Sequence, residues 1–469
     1  MWRFLYNVFF TLAAPVVVGV LLAKPRCRPG LAQRLGLENG SFGLSRLFGA
    51  GERNQPDPSN KLNKPDQPNE PDKPVIWIHA VSLGEVVAVA PLVKALHLRH
   101  PECRYIVTTV TETGREAVLQ RLSGIAEHRY APLDFYWAVT GMIRRLQPIL
   151  YIFVETELWP NLLWSLRDQG VPSVLVNGRL SSRSFGRQDL PLIRSFYRSV
   201  VHTLTLCLMQ TERDRQRIVA LGAEPDRVHT TGNIKFDQPP PALRPNESLR
   251  RSFGLDDHEQ LILAGSTHPG EEEMLLSAYA RIATIYPSMV LMLAPRHIER
   301  AEGLEMMLRG AGFVVQRKSQ LRETRTGPRV IILDTRGELA LAYREAVVAF
   351  VGGTLVPVGG HNLLEPAVWG TPVMFGPYTD HCAEVATLLK EAGGGRRVTG
   401  SEELVATLTQ WLGEPETRIR VGQAAKRAVL DNQGALARSV EFIESCLRAT
   451  RSYSSRCAAI GSGPLMTKP

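Results

Sequence analysis

Short apolar runs alternate with stretches whose apolar positions recur every three or four residues, beginning at Pro74 and continuing through most of the chain. The runs VIWIHA (75–80), YIVTTV (105–110), ILYIFVE (149–155), SVLVNG (173–178) and LCLMQ (206–210) predict strands. Helices are predicted between them at 86–99, 114–122, 135–146, 158–169 and 212–221. The register pauses at QPPPALRP (238–245), a proline-rich hinge candidate, and resumes. Its second half carries LILAGS (261–266), VLMLAPR (290–296), RVIILD (329–334), VVAFVGG (347–353) and PVMFG (372–376). Strands buried on both faces and separated by helices belong to mostly parallel sheets. The chain therefore reads as α/β, with two Rossmann-like domains, 75–237 and 246–449, facing a cleft. Ligands of open α/β sheets bind beyond the carboxyl ends of strands, where nearly every polar motif of this chain lies.

Ahead of that body, Phe4 to Ala23 contains no charged residue, and Lys24, Arg26, Arg28 and Arg34 follow. Twenty helical residues reach about 30 Å, the hydrocarbon thickness of a bilayer. The run predicts a membrane anchor over 1–24, and the basic flank would keep the body in the cytoplasm. A cleavable signal peptide and a helix lying in the interface are the rival readings. Residues 25–74 join this basic flank to a tether containing NQPDPSNKLNKPDQPNEPDKP, too poor in aliphatic residues to offset its ordering entropy. The tail, 450–469, carries no role that its residues suggest.

Composition changes this picture little. The chain has 469 residues, 55 Lys+Arg against 46 Asp+Glu, and a net charge of +9 with no long basic run. Such an excess suits nucleic acid, an anionic membrane or an acidic substrate, and the apolar N-terminus favours the membrane over nucleic acid. Six scattered cysteines form no CxxC pair and no cluster with His at metal-ligand spacing. Reduced cysteines and no metal site are expected.

Candidate chemistry sits at the strand ends. In HAVSLGEV (79–86), Glu85 falls in the first turn of a helix. The helix dipole is expected to lower its pKa, so that it is ionised at neutral pH and able to act as a general base; a capping role is the plain alternative. In FVETELWPNL (153–162), Glu155 ends a buried strand, a costly place for a carboxylate unless it is paired or faces a polar cleft, and Glu157 opens the next helix. In TTGNIKFD (230–237), Lys235 leaves a strand end beside the hinge and offers a compact cation.

In the second half, GSTHPGEEE (265–273) brings Ser266, Thr267 and His268 to a strand–loop–helix entry. APRHIER (294–300) places Arg296 and His297 at the next strand end, and DTRGELALAY (334–343) offers Gly337, Glu338 and Leu339. FVGGTLVPVGGHNLLEPAVW (350–369) runs a strand into a glycine-rich turn, after which Asn362 can cap a helix carrying Glu365. Glycines let a ligand approach the backbone, free helix N–H groups favour a phosphate, and Glu365 could accept ribose hydroxyls. Together these describe a nucleotide pocket for a sugar donor. The spacing is not a Walker A motif and no GxGxxG follows the first strand, so ATP hydrolysis and NAD chemistry lose ground.

The pieces AQRLG, HAVSLGEV, TTVTETG, PLDF, VETELWPN, VNGRLSSRS, TGNIKFD, AGSTHPGEE, APRH, RGEL, FVGGTLVPVGGHNLLEPA and FGPYTDH span most of 32–395. In this order the sequence closely resembles the 3-deoxy-D-manno-octulosonic acid (Kdo) transferases of lipopolysaccharide synthesis. The resemblance implies a GT-B glycosyltransferase anchored at the cytoplasmic face of the inner membrane. It implies transfer of Kdo from the donor substrate CMP-Kdo to a lipid A precursor, lipid IVA, with inversion and without a cofactor or metal. It makes Glu85 the catalytic base and assigns Glu155 and Lys235 to transition-state stabilisation. It places the CMP contacts on Pro295 and Arg296, on Gly337, Glu338 and Leu339, and on Asn362, Leu363, Leu364 and Glu365. Two other readings stand beside it, a GT-B-type sugar-nucleotide epimerase and a membrane-tethered nucleotide-binding protein without turnover.

Overall fold

The computed structural model describes residues 1–23, 29–37, 73–180, 182–188, 190–238, 240, 249–321 and 329–461. Nearly all of the expected tether, most of the proline-rich hinge and the end of the tail lie outside them. The chain divides into two compact units, Met1–Gln238 with Gly434–Pro469, and Pro239–Gln433.

The first unit is built on seven parallel strands: β1 (Val75–His79), β2 (Arg104–Thr109), β3 (Ala126–Tyr130), β4 (Pro148–Val154), β5 (Ser173–Gly178), β6 (Leu206–Met209) and β7 (Val228–Thr230). Their order is β3-β2-β1-β4-β5-β6-β7. Side chains alternate between the faces of a strand, and β1 shows both faces covered. Ile76 and Ile78 join a core with the helix Leu83–Arg99, whereas Val75 and Trp77 join one with the helices Tyr136–Leu146 and Pro160–Asp168. Every β1 residue is buried, which is why the run carries no polar alternation in sequence.

The second unit repeats the plan with β8 (Gln260–Thr267), β9 (Met289–Pro295), β10 (Val314–Arg317), β11 (Arg329–Ile332), β12 (Ala346–Val351), β13 (Val373–Phe375) and β14 (Gly395–Arg397). Here the order is β10-β11-β9-β8-β12-β13-β14, again all parallel. Each of the ten strands expected from apolar runs is present. The four that were not expected, β3, β7, β10 and β14, are the outer strands of the two sheets.

The expected second domain extends to 449, but the structure returns the chain to the first unit at Gly434. The helix Ala435–Gly461 buries Val440, Ile443 and Leu447 in the core beside Leu83–Arg99. Its start is fixed by Asp237, whose carboxylate accepts the N–H groups of Gly434 (2.6 Å) and Leu436 (2.8 Å). The sequence does not reveal this return, because nothing local to an amphipathic helix says which sheet it covers. At the other terminus, the helix Trp2–Ala23 is long and apolar enough to cross a membrane and buries no residue.

Candidate functional site

Glu85 is the third residue of the helix that follows β1, and its position is set by the extended Ser82 at the helix entry. One carboxylate oxygen accepts the Val81 N–H at 2.6 Å and the other lies 3.4 Å from the Ser82 hydroxyl. Burial pushes the carboxyl up to about 7; the Val81 hydrogen bond opposes this, Glu155 and Glu157 add to it, and Lys235 opposes it. The expectation that the helix dipole keeps Glu85 low and fully ionised at neutral pH is therefore corrected. Desolvation outweighs the dipole at this half-buried first turn of the helix.

Glu155 follows β4 in the left-handed backbone region (φ 58°), held there by its N–H donating to the Val176 carbonyl at 3.0 Å. A non-glycine residue in that region stores strain, here at the carboxyl end of a central strand. Its carboxylate accepts from the Lys235 ammonium at 2.8 Å, with both side chains partly exposed. Lys235 does not leave a strand end, as the sequence suggested. It sits in a 3-10 turn, Ile234–Asp237, four residues beyond β7, where the Asn233 side chain accepts its N–H at 3.0 Å. Asn177, fully buried and also left-handed (φ 56°), accepts the Ile234 N–H at 3.0 Å. Residues from the ends of β1, β4 and β5 and from the turn after β7 thus converge within the first unit. Glu157 is turned to the Trp159 indole N–H (2.9 Å).

In the second unit Pro295 ends β9, and the exposed Arg296 donates its backbone N–H to the Thr267 carbonyl at 3.0 Å. Gly337 has φ 83° and Glu338 opens the helix Leu339–Glu345. The Glu338 carboxylate accepts from Thr335 and pairs with Lys318 at 3.3 Å. The helix after the glycine-rich turn is only Leu364–Ala367. The N-cap is Leu363 and not the expected Asn362, which lies one residue earlier; the Asn362 side-chain oxygen accepts the Leu364 N–H at 3.1 Å, and its amide donates to Glu365 at 3.2 Å. Leu363 and Leu364 bury their side chains, so only their backbone is available to a ligand.

Two residues of this region, Glu271 and His361, were not singled out in the sequence. Glu271, fully buried, accepts four backbone N–H groups: His268 (3.0 Å), Gly353 (2.8 Å), Thr354 (3.0 Å) and Leu355 (2.9 Å). Burial raises its pKa and these donors oppose the shift. It ties the β12 glycine turn to the β8 helix entry. A side chain at Gly352 would fall 2.3 Å from the Ser266 carbonyl oxygen, so only glycine permits this approach. The ring of His361 stacks on His268 at 5.1 Å between centroids, with Nε2 to Nε2 at 2.8 Å. The signal for Glu271 was an acidic run, GEEE, whose members divide their work. Glu272 pairs with Arg300 (2.9 Å), and Glu273 accepts the Gly270 N–H (3.0 Å).

The family model described as 3-deoxy-D-manno-octulosonic-acid transferase (kdotransferase) matches residues 53–238. The 3-deoxy-D-manno-octulosonic acid transferase of Haemophilus influenzae is 33% identical, covering 95% of this chain and 99% of that protein. The chain belongs to this family. Among solved structures, a glycosyltransferase from Rickettsia africae matches with TM-score 0.53 at 11% identity, over 80% of this chain and 99% of that one. UDP-GlcNAc 2-epimerase from Neisseria meningitidis matches with TM-score 0.55 at 14% identity, over 79% of this chain and 100% of that one. At such identities the two structures show the fold alone, and that fold is GT-B. For a Kdo transferase, the shared identity over nearly the whole chain separates it from the epimerases of the same architecture.

Proposed function

We propose that this chain transfers Kdo from CMP-Kdo to a sugar hydroxyl of a lipid A precursor, lipid IVA, at the cytoplasmic face of the inner membrane. The observation that carries the reading is Glu85, a partly desolvated carboxyl at about 7 in the first turn of its helix, in the same unit as the Glu155–Lys235 ion pair. A general base works best when its pKa lies near the operating pH. Glu85 takes the proton of the attacking hydroxyl. That oxygen forms a bond to the anomeric carbon of Kdo while the carbon–oxygen bond to the CMP phosphate breaks, and the electron pair leaves with CMP. The single displacement inverts the anomeric centre.

The nucleotide is held in the second unit, by Pro295 and Arg296, by the turn at Gly337, Glu338 and Leu339, and by Asn362, Leu363, Leu364 and Glu365. Arg296 supplies charge for the phosphate, the Leu363 backbone supplies an N–H donor beside the Asn362–Leu364 turn, and Glu365 accepts from the ribose. These fixed donors do the work that a divalent ion performs in other transferases, and the reaction proceeds without metal. The test is transfer from CMP-Kdo generated in situ to tetraacylated lipid A precursor, with EDTA present, read by mass spectrometry. A gain of one or more Kdo masses is expected. No gain, with CMP binding intact, would overturn the acceptor or the transfer itself.

A further inference from the structure

The apolar helix Trp2–Ala23 has one face half-buried along its length, at Trp2, Tyr6, Phe10, Ala13, Val17 and Leu21. The other face exposes Phe4 (71%), Phe9 (67%), Leu12 (76%), Val16 (69%) and Val20 (47%), with no charge among them. Its first turns are committed to the first unit. The Trp2 indole donates to Ser195 (3.0 Å), Arg3 pairs with Asp168, and Tyr6 donates to Asp134 (2.9 Å). Asn7 and Asn161 exchange side-chain amide hydrogen bonds, each 3.0 Å. These partners order the helix antiparallel to Pro160–Asp168.

Just beyond the helix the chain is fixed to the same unit again. Gln33 accepts the Tyr130 N–H (3.0 Å), Arg34 donates to the Val110 carbonyl (2.6 Å), and the Arg34 carbonyl accepts from Leu133 (2.7 Å). Arg34 is buried, with its guanidinium 4.7 Å above the Tyr130 ring. Both flanks of the helix therefore lie on one body.

We propose that this helix does not cross the bilayer but lies in its interface as a monotopic anchor, with its N-terminus on the same side as the body. The partner surface is a bilayer bearing anionic headgroups, and the inference rests on the membrane location proposed above. Spanning about 30 Å of hydrocarbon takes about 20 helical residues. Trp2 to Phe10 already pack on the protein, which leaves Thr11 to Ala23, about 20 Å of helix. The five residues 24–28 reach at most about 20 Å, so they cannot bring the chain back across a membrane. A charge-free exposed face with Lys24, Arg26 and Arg28 next in sequence is the pattern of an interfacial helix on anionic lipid. Exposed Tyr136 and Trp137 extend this surface, since Phe10 contacts Phe135 (5.9 Å), which stacks on Trp137 (4.6 Å). Trp and Tyr favour headgroup depth.

The test uses the full chain with an N-terminal epitope tag, in spheroplasts of a Gram-negative host treated with protease outside. The tag is expected to survive intact spheroplasts and to be lost only after lysis. Loss from intact spheroplasts would place the N-terminus across the membrane and overturn the monotopic placement, while leaving the membrane location standing. In a second arm, L12E/V16E should lower co-sedimentation with phosphatidylglycerol/phosphatidylethanolamine vesicles at least tenfold, with unchanged circular dichroism. Binding equal to wild type would overturn the exposed face as the lipid contact. Failure of the wild-type chain to sediment with vesicles would remove the membrane location itself.

Discussion

Glu85 and Glu271 occupy corresponding places in the two units. Each stands in the first turn of the helix that follows the leading strand of its sheet, and burial raises the pKa of each. Their hydrogen bonds differ. Glu85 accepts one backbone N–H and stays half-buried, whereas Glu271 accepts four and is fully buried. A carboxylate with open lone pairs can trade a proton with a ligand; one whose acceptor capacity is spent on backbone N–H groups holds a loop in place. One scaffold thus leaves a carboxylate with open acceptor capacity in the first unit and makes a brace for the glycine turn in the second.

The sharpest way to break this comparison is to exchange carboxylate for amide at both positions. Glu85→Gln should lower transfer by at least about 10²-fold, the scale of a general base, with CMP affinity unchanged in titration calorimetry. Retained turnover would make Glu85 a second structural residue. Glu271→Gln should behave in the opposite way: an amide faces N–H donors with its own N–H, and urea unfolding should show a loss of about 2–4 kcal/mol. CMP affinity should fall with it as the glycine turn loosens; unchanged stability would remove the bracing role.

Arg296→Ala should weaken CMP binding about tenfold, one charged contact to phosphate, and leave the folded state unaffected. Equal affinity would mean that the phosphate sits elsewhere. The smallest effect concerns stability. The Glu85 pKa is raised on folding, so the native state keeps a proton that the unfolded chain releases as pH rises above its ordinary value of 4.5. Ionising Glu85 therefore costs native stability progressively up to about pH 7, and Glu85→Gln should be slightly more stable than wild type at pH 8 and equal to it at pH 4. A difference independent of pH would point to packing instead.

Much of this organisation was legible in the sequence, for a physical reason. Central strands are buried on both faces, so β1, β4 and β12 appear as unbroken apolar runs, and the glycine turn after β12 is demanded by the backbone approach at Gly352. Edge strands are half solvated and carry no such signal; AEHRY of β3 and GRR of β14 read as loops. Lys235 was found as a residue but misplaced as an element, because a 3-10 turn capped by Asn233 has no periodicity to detect. The rise of the Glu85 pKa was not legible, since it comes first from burial that only packing creates and then from Glu155 and Glu157, carboxylates about 70 residues away in sequence.

The most direct test of Glu85 as the base is the pH dependence of kcat/KM for Kdo transfer, measured from pH 5.5 to 9 with acceptor and donor below saturation. Activity should rise about tenfold per pH unit below an apparent pKa near 7 and level off above it. A profile already flat at pH 5.5, or one that falls as pH rises through 7, would contradict a desolvated Glu85 carboxylate as the group that takes the acceptor proton.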